Sequence, residues 1–311
     1  MISHPLQGRI LLLSWLLAVV LWPLVWLLLP LAQGVGVAAV GGEWIGLSAP
    51  WGAQPWALVN QPGVGFSATR EALLGYWLPP LLLPLLLALL PPPFMPSGQG
   101  WVSELGVYHL ATAAAVLGLG WAPSLGVSDG PAAGLEVFWR LPSLAVVLLA
   151  AGAGVVGATM ASLRLASPLW LAPGGPTRRR RVLVPLLHGG VPLALWCAAV
   201  CLGGWHPRTA AALVAGAVAG LTAVASAWFV THAPLVRRRA PGWGAILLVA
   251  LLAVAGGGAL AWAGAPQGRA PKGYLWGQER MTSNVRSGTV RIELRRLPAP
   301  TAPRGSSAAG S

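Results

Sequence analysis

Charged residues are absent from seven long stretches of the chain, and that pattern limits its folds more than any motif does. No Asp, Glu, Lys or Arg occurs in residues 10–42, 72–103, 105–128, 141–163, 182–207, 209–236 or 240–268. A helix crossing a hydrocarbon layer of roughly 30 Å needs about 20 apolar residues at 1.5 Å each, so every window holds one such helix. The charged share of the whole chain is 9% and the hydrophobic share 56%, against about 25% charged in soluble proteins.

The expected fold class is therefore an all-α integral membrane protein, a bundle of about seven transmembrane helices. The spans are expected near 10–30, 73–94, 102–122, 142–162, 182–203, 209–231 and 243–264. Residues 1–265 form the polytopic bundle on this reading, and 266–311 form a basic tail outside the membrane. The apolar run after Arg9 continues past the roughly 7 to 15 residues of a signal-peptide core with no early cleavage site, so it reads as a retained first helix.

Basic residues near span ends mark the cytoplasmic side. Arg164, Arg178, Arg179, Arg180 and Arg181 lie between spans four and five, and Arg237, Arg238 and Arg239 between six and seven. The alternate loops hold Arg70, Arg140 and Arg208, offset by Glu43, Glu71, Asp129 and Glu136. This predicts a cytoplasmic N-terminus and an outside C-terminal tail, against the pull of the tail's own arginines. The net charge of +13 sits beside the bilayer and no recognition motif accompanies it. Anionic lipid headgroups, rather than nucleic acid, are the expected partner, with other membrane subunits as a further possibility.

Small residues recur at helical spacing as Ala150, Gly154 and Ala158, as Ala212, Gly216 and Gly220, and as Ala253, Gly257 and Ala261. Small residues let helices approach closely in lipid, so spans four, six and seven are the expected inner core. Span two carries Pro79, Pro80 and Pro84 inside its leucine run. Proline removes a backbone donor, which predicts a broken or kinked helix and a candidate substrate path. The segment from Gly34 to Arg70 carries Trp44, Trp51 and Trp56 among Gly and Pro, as a loop on the outer interface would. After the last span, Thr289 to Leu294 alternates apolar and polar residues like a strand behind a Ser287–Gly288 turn, and the end from Pro298 has a disordered composition.

Ionisable groups within spans are costly and are the first candidates for function. His109 and His188 lie at matched depth in spans three and five, His232 at the inner end of span six, and Glu104 five residues before His109. Two imidazoles on different helices can ligate one haem iron, or hold a transition metal with Glu104 and His232 as further ligands. The plainer alternative is that each histidine hydrogen-bonds within the bundle. Cys197 and Cys201 are one turn apart, a spacing that could bind a soft metal, but small apolar filler is the better account of them.

No HExxH, GxSxG, GxxxxGK[ST] or CxxCH pattern occurs, and the one lysine is Lys272 in the tail. An intramembrane enzyme has only Glu43, Arg70 and Glu71 to work with at the outer loop. Among the readings, a permease-like component or structural subunit of a membrane complex asks least of the sequence. A haem- or metal-handling redox protein using His109 and His188 is the alternative.

Overall fold

The computed structural model describes residues 7–39, 43–48, 56–60, 100–120, 178–202, 240–264, 267–268, 274–284 and 289–298, with helical positions within 82–90, 145–160 and 217–225. The described chain is mostly helical. Helix α1 is Gly8–Ala39, α2 is Trp101–Gly120, α3 is Arg178–Pro185, α4 is Val191–Leu202 and α5 is Trp243–Gly264. A π-helical turn, Leu186–Gly190, joins α3 to α4 without a break.

Among the described residues, three helices are long and apolar enough to cross a membrane, at Gly8–Gly36, Val182–Ala199 and Trp243–Ala263. The described residues thus support three such helices and not the expected seven. The span expected at 102–122 is present as the helix α2. Those expected at 73–94, 142–162 and 209–231 fall largely outside the described residues.

All-α also needs correction, because two small sheets accompany the helices. Strands β1 (Glu43–Ser48), β2 (Trp56–Asn60) and β3 (Gln267–Gly268) form an antiparallel sheet in the order β2-β1-β3. The segment expected to be an interfacial loop therefore contains a hairpin, with Glu43 opposite Asn60 and Ser48 opposite Trp56. Strands β4 (Tyr274–Asn284) and β5 (Thr289–Pro298) pair antiparallel, Asn284 opposite Thr289.

Helix α1 is apolar on all sides, and packing alone decides its inner face. Ile10, Leu13, Ser14, Leu17, Ala18, Trp22, Val25, Leu29 and Gln33 are buried, at spacings of three and four residues that trace one stripe. Val19, Leu24 and Val35 face outward. Near the end of α1, Gly34 lies under the Trp44 indole of β1, where any Cβ would overlap the ring. The indole N–H of Trp44 donates to the Gly46 carbonyl at 2.6 Å, beside a bulge in β1.

Two core layers fix the direction of the helices. The first gathers Ile10, Leu13 and Leu17 of α1 with Trp101, Leu105, Tyr108 and Ala111 of α2, Val184 of α3, and Ile246 and Val249 of α5. The second gathers Ala18, Trp22 and Val25 of α1, Ala113 and Ala114 of α2, and Leu193 of α4. Residue numbers rise from the first layer to the second in α1, in α2 and through α3–α4, so these run parallel. Helix α5 joins α1 by its early residues, and β3, just beyond its end, pairs with β1, just beyond the end of α1. It runs parallel too. The four helix starts, with Arg9 and Arg178, Arg179, Arg180 and Arg181, share one end of the bundle, and the β2-β1-β3 sheet lies at the other.

Span seven is not inner core. In α5, Leu247, Leu251 and Val254 are 62%, 69% and 76% exposed, and a Cβ on Gly256, Gly257 or Gly258 would meet nothing within 4 Å. Trp243 and Trp262 lie exposed at its two ends, about 28 Å apart at helical rise. That is the separation of two interfacial belts. The enclosed helix is α2, where Trp101, Glu104, Leu105, Val107, Tyr108, His109, Ala111, Thr112, Ala113 and Ala114 are all buried. Small-residue stripes permit close approach without requiring it, which is why they misplace span seven.

Candidate functional site

Polar groups inside the bundle meet where α1, α2 and the π-turn come together. Helix α1 brings Ser14, α2 brings Glu104, Tyr108 and His109, and the π-turn brings His188. Each is at most 2% exposed. Counting from the helix starts at 1.5 Å per residue, Ser14, Tyr108, His109 and His188 sit about 9 to 15 Å inside the bundle, and Glu104 about 5 Å.

Ser14 Oγ and His109 Nε2 are 2.9 Å apart, in a buried hydrogen bond between α1 and α2. A serine hydroxyl both donates and accepts, so it serves whichever tautomer His109 adopts. The His109 ring also meets Tyr108 edge to face, with centroids 5.0 Å apart. His188 is placed beside this pair by its neighbour Gly189, which packs against the Tyr108 hydroxyl.

The π-turn follows from local sequence. Pro192 has no N–H, and its ring would clash with the His188 carbonyl, four residues earlier, in a regular α-helix. Widening the turn by one residue avoids this, and the Val191 N–H donates to the Leu186 carbonyl in the π pattern. In that pattern the Leu187 carbonyl is due its bond from residue 192, which is proline. Trp15 of α1 fills the vacancy, its indole N–H donating to the Leu187 oxygen at 2.8 Å. An exposed carbonyl at membrane depth is tolerated only with such cover.

Glycine at 189 gives Tyr108 its room. A Cβ there would run into the Tyr108 hydroxyl, so α2 and the π-turn touch at the residues beside the two histidines. The wide turn, the absent side chain and the Trp15 bond together hold His188 against the helix that carries His109.

The other expected site residues are distributed differently. Among the described residues no three of His, Cys, Asp and Glu assemble into a metal-holding group, so Glu104 does not join the two histidines as a third ligand. Glu104 precedes His109 by five residues, which turns it about 140° around the helix axis. His232, Pro79, Pro80 and Pro84 lie outside the described residues, as do Arg70 and Glu71. Cys197 is half-buried and packs with Trp196 against the second core layer, as apolar filler does. Trp196 packs on the middle of α1 through Trp22 and Trp26, at ring distances of 5.6 and 5.7 Å.

Ser14, Trp15, Tyr108, Gly189 and Pro192 escaped sequence reasoning. Only the run His188-Gly189-Gly190-Val191-Pro192 carried a signal, since glycines ahead of a proline within an apolar helix mark irregular backbone. At the helix starts, the Arg9 guanidinium stands 4.8 Å from the centroid of the Trp243 ring, a cation–π contact between α1 and α5.

No protein-family model, curated protein or solved structure matches this chain.

Proposed function

We propose that the chain is a seven-span membrane protein of the permease type, and that the Ser14, His109 and His188 cluster is where its path handles a polar solute. The observation that carries this reading is the sealed Ser14–His109 hydrogen bond beside His188. A bundle built only to scaffold partners gains nothing from two buried imidazoles, which are expensive in lipid and mark solute or ion pathways. Irregular backbone at membrane depth, here the π-turn, is a further mark of such pathways.

Parallel helices support the span count. Four helices that start at one end of the bundle require the chain to return three times. The charge-free windows at 72–103, 141–163 and 209–236 occupy those returns. Leu87 and Val155, from the first two of these windows, pack against the second core layer, and the Leu90 N–H bonds the Leu86 carbonyl at 2.9 Å, as in an α-helix. The arginines at the helix starts favour that end as cytoplasmic, in contact with anionic headgroups, and the sheet end as outside.

The test is reconstitution of the purified chain into liposomes, with stopped-flow light scattering over a panel of small uncharged and weakly charged solutes. At least one solute is expected to permeate faster than through empty liposomes, with the gain lost in His109→Ala. No gain for any solute would leave the structural-subunit role. An optical spectrum of the same sample separates the redox reading: a Soret band, or a stoichiometric metal lost in His109→Ala and His188→Ala, would replace the permease reading with a cofactor one.

A further inference from the structure

We infer that His109 and His188 form a single proton-binding site within the bundle, with Ser14 as the positioning residue that accommodates His109 in both its protonation states. The inference rests on the permease reading and names the ion its path handles. It stands on three placements: both imidazoles buried at the meeting of α1, α2 and the π-turn, the Ser14 bond to Nε2, and the backbone device that brings His188 there.

The surroundings of the pair decide its chemistry. Among the described residues, the core layer that holds Tyr108, the neighbour of His109, takes Ile246 and Val249 from α5 and Val184 from α3, all apolar. Helix α1 contributes Ser14 as its polar group at this depth. Arg9 lies at the water end of α1, against Trp243. Helix α2 adds Tyr108, whose hydroxyl abuts Gly189, and Glu104, on a different side of the helix. Two imidazolium charges in so dry an interface repel each other strongly, so the pair takes up one proton and not two.

The transfer is simple to balance. A proton arriving at a bare imidazole nitrogen forms an N–H bond there, and its release breaks the same bond. The positive charge travels with the proton, and nothing is oxidised or reduced. Ser14 follows by turning its hydroxyl. When Nε2 carries hydrogen, the Ser14 oxygen accepts; when Nε2 is bare, the Ser14 O–H donates. Alanine in its place removes the Ser14 partner from both states, and the loss is greater for the charged one, whose hydrogen bond is the stronger, so the balance between them shifts.

The experiment is solid-state NMR of the full chain in anionic lipid bilayers with ¹⁵N-labelled histidine, followed between about pH 4 and about pH 9. The chain has five histidines, and His→Gln variants assign the signals. The expected result is one shared transition of the His109 and His188 nitrogens, displaced for His109 in His188→Gln. In Ser14→Ala, which keeps both imidazoles, the shared transition is expected to move. Independent transitions, or none in either ring across the range, overturn the proton site. The same liposomes, loaded with a pH-sensitive dye under a potassium diffusion potential, separate this inference from the reading beneath it. A shared transition with no proton or solute flux keeps the proton site and removes the permease; solute flux with independent histidines does the reverse.

Discussion

Alanine at position 189 would place a methyl group on the Tyr108 hydroxyl, and the conflict has a calculable signature. The methyl needs Tyr108 or the π-turn to shift, since the hydroxyl lies within overlap of the Cβ and the next ring atom, Cζ, is 3.1 Å away. Overpacking of this kind costs about 1 to 3 kcal/mol. The exchange also gains up to about 1 kcal/mol of helix propensity, so Gly189→Ala alone is expected to destabilise the fold by about 0 to 3 kcal/mol. The informative quantity is therefore the coupling to Tyr108. Removing the hydroxyl in Tyr108→Phe relieves the overlap, leaving the 3.1 Å approach to Cζ, which a small adjustment absorbs. Gly189→Ala is then expected to be neutral or stabilising on that background, which corresponds to a coupling energy of about 1 to 3 kcal/mol. Reversible unfolding in mixed detergent, followed by circular dichroism for the four proteins of the cycle, measures it. Equal effects of Gly189→Ala with and without the hydroxyl would refute the close contact of α2 with the π-turn.

Two further predictions concern the backbone device and the buried bond. Trp15→Phe keeps an aromatic ring but removes the donor to the Leu187 carbonyl, and is expected to cost about 1 kcal/mol in the same unfolding assay. Pro192→Ala restores an N–H and lets the turn return to the α pattern, in which Val191 donates to Leu187. On that background the Trp15→Phe cost is expected to fall towards zero, and an unchanged cost would separate Trp15 from the π-turn. Ser14→Ala breaks an interhelical hydrogen bond, a class that averages about 0.6 kcal/mol in membrane bundles. The matching check is a double-mutant cycle with His109→Ala, where a coupling near zero would contradict the 2.9 Å bond.

Much of the architecture was legible because charges are costly in lipid. The gaps between charges located α2, the α3–α4 pair and α5 to within a few residues, and the start of α1, which continues past the expected end at 30 to Ala39. They did not show which side of α1 faces inward, because its apolar residues surround the axis and the buried stripe is set by neighbours. Nor did they show the strands at 43–48 and 56–60, whose residues Glu-Trp-Ile-Gly-Leu-Ser and Trp-Ala-Leu-Val-Asn read as loop until their partners are known. His109 and His188 stood out as ionisable groups in apolar runs. Their setting did not, since Ser14 is 95 residues from His109 and Trp15 is 172 from Leu187. No local pattern encodes such distant pairs. The expected third ligand, Glu104, was close in sequence but turned away on the helix.

The central claim is that α1, α2, α3–α4 and α5 run parallel and are joined by three return crossings. Single cysteines, introduced after Cys197→Ala and Cys201→Ala at Gln7, Gly100, Arg178 and Gly242, and at Trp44 and Gln267, can be labelled from each side of sealed vesicles with a membrane-impermeant maleimide. The account predicts that the first four react from one face, the cytoplasmic one in inside-out vesicles, and the last two only from the opposite face. Labelling of any of the first four from the same side as Trp44 and Gln267 would break the parallel arrangement, and with it the seven-span reading.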